Sequence, residues 1–174
     1  MQTSLAKCFV TLNLIMAKSD FSLFAKLNLP PALLDVERLD DGRFTVYDRW
    51  RGRRVALTPE EWVRQHFVSM LVDCKGYLSG RIANEISITL NGTPRRCDTV
   101  VYDGSMRPLM IIEYKAPDVK VTQAVFDQIA RYAMVLRAPY LAVSNGLCHY
   151  CCRMDYDGRT YEFLKEIPDY LSML

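Results

Sequence analysis

Period-two and period-3.6 segments take turns along most of this chain. Residues 82–90 alternate, with Ile82, Asn84, Ile86, Ile88 and Leu90 on one side and Ala83, Glu85, Ser87 and Thr89 on the other, the pattern of a half-buried strand. Asn91-Gly92 is the strongest two-residue hairpin turn in the sequence. It leads into a second apolar run that ends near Tyr102, and Asp103-Gly104 and Pro108 then turn the chain into a third, residues 109–115. Residues 43–48 and 51–57 form a separate, smaller hairpin across the turn at 48–52.

Two helices stand out. Thr58-Pro59-Glu60-Glu61 opens the first: Thr58 is the N-cap, Pro59 the first helical residue, and Glu61 closes a capping box. Val63, Phe67, Met70, Leu71 and Cys74 form its buried stripe, and Gly76 ends it. The second covers 122–136, with Val125, Ile129, Tyr132 and Leu136 as a stripe and Phe126 and Ala133 beside it. A short helix is also expected over 19–29, ended by Pro30-Pro31.

Residues 140–144 are a buried strand in pattern. Asn145-Gly146 turns it into residues 147–156, and Asp157-Gly158 turns those into 160–164. A helix between the strand at 109–115 and that at 140–144 makes a crossover, which requires a parallel pair. The expected fold is α/β: a mixed sheet, antiparallel at its start and parallel at its finish, flanked by helices and preceded by the small β-hairpin. Residues 19–174 are read as one domain and 1–18 as a peripheral segment, with Met16 an alternative start.

Composition narrows the picture only a little. The chain has 174 residues, half of them apolar and 24% charged, with net charge +2. That is enough for a packed core without staples, and the charge neither demands nor excludes a nucleic-acid partner. The six cysteines lack a disulfide spacing, and the run Cys148-His149-Tyr150-Cys151-Cys152 has no second pair to complete a zinc site. Core or surface thiols in a reducing cytoplasm are the expectation. The apolar run at 8–17 is too short to span a bilayer, so no membrane partner is expected.

The chemistry concentrates between Arg95 and Lys115. Each of the two strands there carries ionisable residues where apolar ones are expected. Antiparallel pairing brings Asp98 close to Glu113, and period two puts Lys115 on the face of Glu113. Two converging carboxylates repel unless a cation lies between them, and a neighbouring ammonium suits polarisation of a phosphate and its attacking water. These residues therefore predict a Mg²⁺-dependent phosphodiester-cleaving centre, with Mn²⁺ as a substitute. Glu85, one strand from Asp98, either joins the acidic group or sits on an exposed strand face. By helical angle Glu60 lies on the apolar stripe and Glu61 well off it, so Glu60 either favours the helix dipole or reaches the site. Gln65 could take that role instead, and His66 is expected at the helix surface. Arg51, Arg53 and Arg54 line a solvated strand edge or contact phosphates.

Asp98, fourteen residues, then Glu113-Tyr114-Lys115 resembles the PD-(D/E)xK nuclease pattern, with Cys97 where that pattern usually has Pro. With Gln128-Ile129-Ala130-Arg131-Tyr132 downstream, residues 27–171 resemble the nuclease domain at the N-terminus of type I restriction enzyme R subunits. The resemblance implies a restriction-endonuclease-like fold and metal ligation by Asp98, Glu113 and the backbone carbonyl of Tyr114. It implies catalytic roles for Lys115 and Gln128, with Glu60 and Glu85 supporting. Double-stranded DNA is the implied substrate, contacted by Arg95, Arg96, Lys120 and Arg131, and a helicase/translocase or a specificity subunit the implied partner. No Gly-x-x-x-x-Gly-Lys-Ser/Thr loop occurs, so a complete motor subunit is not expected. The rival readings are a catalytically silent nucleic-acid-binding module of the same fold, and a structural ion pair of Lys115 with Glu113 or Asp98 that only seals a sheet edge.

Overall fold

The computed structural model describes residues 24–90 and 92–174, the side chains of Leu90, Gln128 and Tyr132 lying outside that description. Two sheets and two helices make up the frame. Strands β1 (Val36–Arg38), β2 (Phe44–Asp48) and β3 (Arg53–Ala56) form a small antiparallel sheet. Helix α1 (Pro59–Lys75) follows. A six-stranded sheet is then built in chain order from β4 (Ile82–Leu90), β5 (Thr93–Tyr102), β6 (Pro108–Tyr114), β7 (Tyr140–Ser144), β8 (His149–Asp155) and β9 (Thr160–Leu164). Helix α2 (Gln123–Leu136) crosses between β6 and β7, which are parallel.

The turns that punctuate the sequence close these hairpins. Leu90 pairs with Thr93, a two-residue connection in which Gly92 takes φ +74°, open to glycine without strain. The β5–β6 turn is held by Asp103, whose Oδ1 accepts from the backbone N–H of Ser105 and Arg107. Thr58 caps α1 by accepting from the Glu61 N–H at 3.1 Å, and Gly76 ends it at φ +70°.

The central strands of the large sheet are buried on both faces. Val63, Phe67 and Leu71 of α1 pack with Val101, Ile112, Tyr114 and Ala142 on one side. Phe126, Ile129 and Ala133 of α2 pack with Val100, Ile111, Leu141 and Val143 on the other. Strand alternation accounts for this split, successive side chains entering opposite cores. Cys151 belongs to the first core and its neighbour Cys152 to the second. Among the described residues no helix is long and apolar enough to cross a membrane.

Several expectations are corrected. The small hairpin gains a third strand, β1. Only β6 and β7 run parallel, and the sheet finishes antiparallel through β8 and β9, because the turns at 145–146 and 157–158 are too short to carry a crossover. Of the helix expected over 19–29, residues 19–23 lie outside the described residues, as does the run at 8–17. Residues 24–29 are not helical; their backbone bonds elsewhere, the Ala25 carbonyl accepting from the Trp62 indole and the Asn28 N–H donating to the Gly146 carbonyl. Helix α1 is wrapped on more than one side, so Arg64, Gln65 and His66 are buried beside the apolar stripe, while Cys74 is exposed.

Strand β4 does not keep one face. Ile82 joins the core under α1, whereas Ile86 and Ile88 join the core under α2. The chain turns over between them at Glu85, which takes φ +61°, a left-handed conformation unusual for a residue with a side chain. Register is unbroken across it, Asn84 opposing Thr99 and Ile86 opposing Cys97. Glu85 thus faces Asp98 at the point where the hairpin changes sides.

Candidate functional site

Register decides which carboxylates meet. In the β5–β6 ladder Thr99 opposes Ile112, so Asp98 and Glu113 are the next facing pair. Asp98 Oδ2 accepts from the Tyr114 backbone N–H at 2.9 Å, which fixes its carboxylate against the end of β6. Lys115 lies two residues beyond Glu113, and its ammonium donates to Glu113 Oε1 at 3.0 Å. The other oxygen, Glu113 Oε2, is buried and has no hydrogen-bond partner. A buried carboxylate oxygen left bare is a position where a cation or a proton belongs.

The protonation equilibria say the same. Burial, and then the negative charge of Asp98, push the Glu113 carboxyl up to about 7, against an opposing pull from Lys115. Burial also raises Asp98, despite the neighbouring Arg64 guanidinium and the Tyr114 N–H. Desolvation disfavours both charged forms and each carboxylate disfavours the other.

A network of charges backs this edge. Arg64, from α1, donates to Asp98 Oδ1 at 2.9 Å and reaches Glu61 at 3.0 Å and Glu85 at 2.6 Å. Its guanidinium also stands 5.6 Å from the centre of the Tyr114 ring, within cation–π range. Glu61 accepts further from Gln65 at 2.7 Å and from Arg51. Arg51 in turn pairs with Asp48, which is fully buried at the end of β2 and accepts from the Trp50 and Arg51 backbone N–H groups. The small sheet is thereby tied to the candidate site through Arg51. Arg96 pairs with Glu85 from the outer side.

Asp98, Glu113 and Lys115 therefore meet where β5 faces the end of β6, with Glu85 of β4 on the other side of Asp98. Glu60 does not join them and is exposed. The first turn of α1 is flanked by Arg51, which recruits the carboxylate of Glu61 and leaves Glu60 to solvent. The expected capping box is also absent: the Thr58 N–H donates to the Ala56 carbonyl, and Glu61 is spent on arginines. Gln128 sits on the second turn of α2, its side chain outside the described residues. Arg51 is internal rather than part of a solvated edge, and Arg54 pairs with Asp35 and Glu37. Arg95, Arg96, Lys120 and Arg131 are all exposed.

Glu61 and Arg64 were the residues that helical-wheel counting missed. The available signal was their i, i+3 spacing, with opposite charges beside Gln65 in the first turns of the helix.

A family model described as the type I restriction enzyme R protein N terminus matches residues 59–168, well over half the chain. The chain belongs to that family. The matched span begins at the first residue of α1 and runs past β9, so the whole R-protein-like segment contains Glu61, Arg64, Glu85, Asp98, Glu113 and Lys115 and leaves the small sheet outside. Among solved structures, the chain is similar to a fragment of a putative HsdR subunit of a type I restriction enzyme from Vibrio vulnificus YJ016, at 19% identity and a TM-score of 0.49 over 67% of this chain. The chain spans about a quarter of that structure's length. A comparison with curated proteins finds no match.

Proposed function

We propose that this domain is a Mg²⁺-dependent nuclease of the PD-(D/E)xK kind that hydrolyses DNA phosphodiester bonds. The observation that carries the reading is the bare, buried Glu113 Oε2 beside a second desolvated carboxylate, Asp98, with an ammonium on the same strand end. Two carboxylates with raised protonation midpoints are poised for a divalent cation, and hard oxygen donors favour magnesium over softer metals. Among the described residues no group of three or more His, Cys, Asp or Glu side chains is gathered for a metal. Mg²⁺ does not need one, since it is commonly held by one or two carboxylates, with water and substrate phosphate completing the shell. Asp98, Glu113 and the backbone carbonyl of Tyr114 are the residues that would hold it.

When bound, the ion would polarise the scissile phosphate and lower the pKa of a coordinated water. The chain's own part is positioning. The Tyr114 N–H holds Asp98 in place. Lys115, oriented by Glu113, presents its ammonium to the attacking water or to a phosphate oxygen, where it offsets developing negative charge. Gln128 is proposed to hold the water or a phosphate oxygen from α2, with Glu85 supporting the acidic group. Arg95, Arg96, Lys120 and Arg131 would contact the DNA backbone, double-stranded by analogy with restriction. A translocase or specificity subunit is the proposed partner, and the cytoplasm the proposed location.

The exposure of those four basic residues also favours a second reading, a binding module without turnover. One assay separates them: supercoiled, linear and single-stranded DNA incubated with Mg²⁺ or Mn²⁺, wild type beside Lys115→Ala. Cleavage by the wild type that disappears in the variant supports the nuclease. Equal traces in both overturn it.

A further inference from the structure

Arg64 has no direct part in the chemistry proposed above, yet it is the most heavily engaged cation in the site. It is 5% exposed and touches the carboxylates of Asp98, Glu61 and Glu85 at 2.9, 3.0 and 2.6 Å. Its Nε is buried with no hydrogen-bond partner, so the guanidinium does not occupy a fully satisfied position. A divalent ion on Asp98 would lie beside this fixed positive charge, and like charges at such spacing repel strongly away from bulk water.

We infer that Arg64 is a resident counter-ion that a divalent cation must displace from Asp98, so that α1 sets how tightly the site takes metal. The inference rests on the Mg²⁺ reading. The geometry provides the displaced guanidinium with a destination: Glu61 and Glu85 already accept from it, so giving up Asp98 strands no buried charge. Glu61 is itself pinned by Gln65 and Arg51, which makes it a firm anchor on the side away from Asp98. Arg64 therefore stands between Asp98 on one side and Glu61 with Glu85 on the other, and whatever weakens its hold on one side strengthens it on the other.

That arrangement predicts effects of opposite sign, which a purely structural arginine would not produce. Isothermal titration of Mn²⁺ into the DNA-free chain is the assay. The double variant Arg64→Gln with Glu61→Gln, which removes one charge of each sign, should bind Mn²⁺ about tenfold more tightly than wild type. Glu61→Gln alone leaves Arg64 leaning on Asp98 and should bind it several-fold more weakly. A structural role predicts weaker binding in both, and that result would overturn the inference. A second measurement needs no variant: the side-chain ¹⁵N signal of Arg64 in the wild type should shift during a Mg²⁺ titration with the midpoint of metal binding. A signal that stays still while metal binds overturns the inference and leaves the metal reading standing. If the wild type takes up neither Mn²⁺ nor Mg²⁺, the metal reading itself fails, and this inference with it.

Discussion

Replacing Glu113 by glutamine should stabilise the metal-free protein at neutral and alkaline pH and leave it little changed at pH 4.5. The carboxyl is raised from its ordinary 4.5 to about 7. For an acid raised on folding the sign is unfavourable: below 4.5 it is neutral in both states and costs nothing. The penalty grows as pH climbs and is complete above 7. At pH 8 it amounts to about 3 kcal/mol, and at pH 4.5 to less than about 0.5 kcal/mol. Glutamine keeps the shape and removes the charge, and the attraction to Lys115 is already contained in that midpoint. The net gain at pH 8 is therefore about 3 kcal/mol, or roughly 6–12 °C in Tm for a domain of this size. Differential scanning calorimetry with EDTA at pH 8 and pH 4.5 measures it. Mg²⁺ should raise the Tm of the wild type at pH 8 and barely move that of Glu113→Gln. If the variant melts lower than wild type by the same margin at both pH values, Glu113 is a satisfied ion-pair partner and the repulsive-pair account is wrong.

Other consequences are equally direct. Burial opposes ionisation of Asp48, but bonding to Arg51 overrides it and leaves the carboxyl below its usual range. Its contribution is therefore present above about pH 4 and lost as pH falls through the lowered midpoint. Asp48→Asn should cost about 1.5–3 kcal/mol in urea unfolding at pH 7, since it removes a buried charge-assisted bond while Arg51 keeps Glu61, and less at pH 3. Thr58→Ala removes the side-chain acceptor for the Glu61 N–H and should cost about 1 kcal/mol by the same assay. At Gly146, φ is +81° and an added Cβ would lie 2.6 Å from Leu27 Cδ2 and 3.0 Å from Val63 Cγ2. Gly146→Ala should therefore lose about 1–2 kcal/mol and speed amide exchange at Asn28, whose N–H bonds the Gly146 carbonyl. Arg95→Ala should weaken DNA binding whatever the sequence and lower the salt slope by about one; an unchanged slope removes Arg95 from the interface.

Local signals carried most of the architecture. The Asn-Gly and Asp-Gly turns, the Thr58 cap and the Gly76 stop act over a few residues, so the β4–β5 and β8–β9 hairpins and both ends of α1 follow from their own sequences. The facing of Asp98 and Glu113 was legible for the same reason: a short turn sets hairpin register, and period two then sets faces. The third strand of the small sheet was not legible, since Val36–Arg38 is too short to display a period.

Tertiary structure alone decided how the acidic edge is neutralised. A helical wheel ranks Glu60 above Glu61 because it assumes one buried face, but α1 meets the large sheet on one side and Arg51, in the β2–β3 turn, on another. Which carboxylate is buried depends on that second neighbour, encoded ten residues upstream. The same holds for Arg64, whose three carboxylate partners come from α1, β4 and β5. Likewise, the left-handed turn at Glu85 sends Ile82 and Ile88 into different cores, where alternation assigns them one face. Periodicity describes one element against one surface; this site is assembled where several elements converge, and charge pairing among them is a property of the assembled fold.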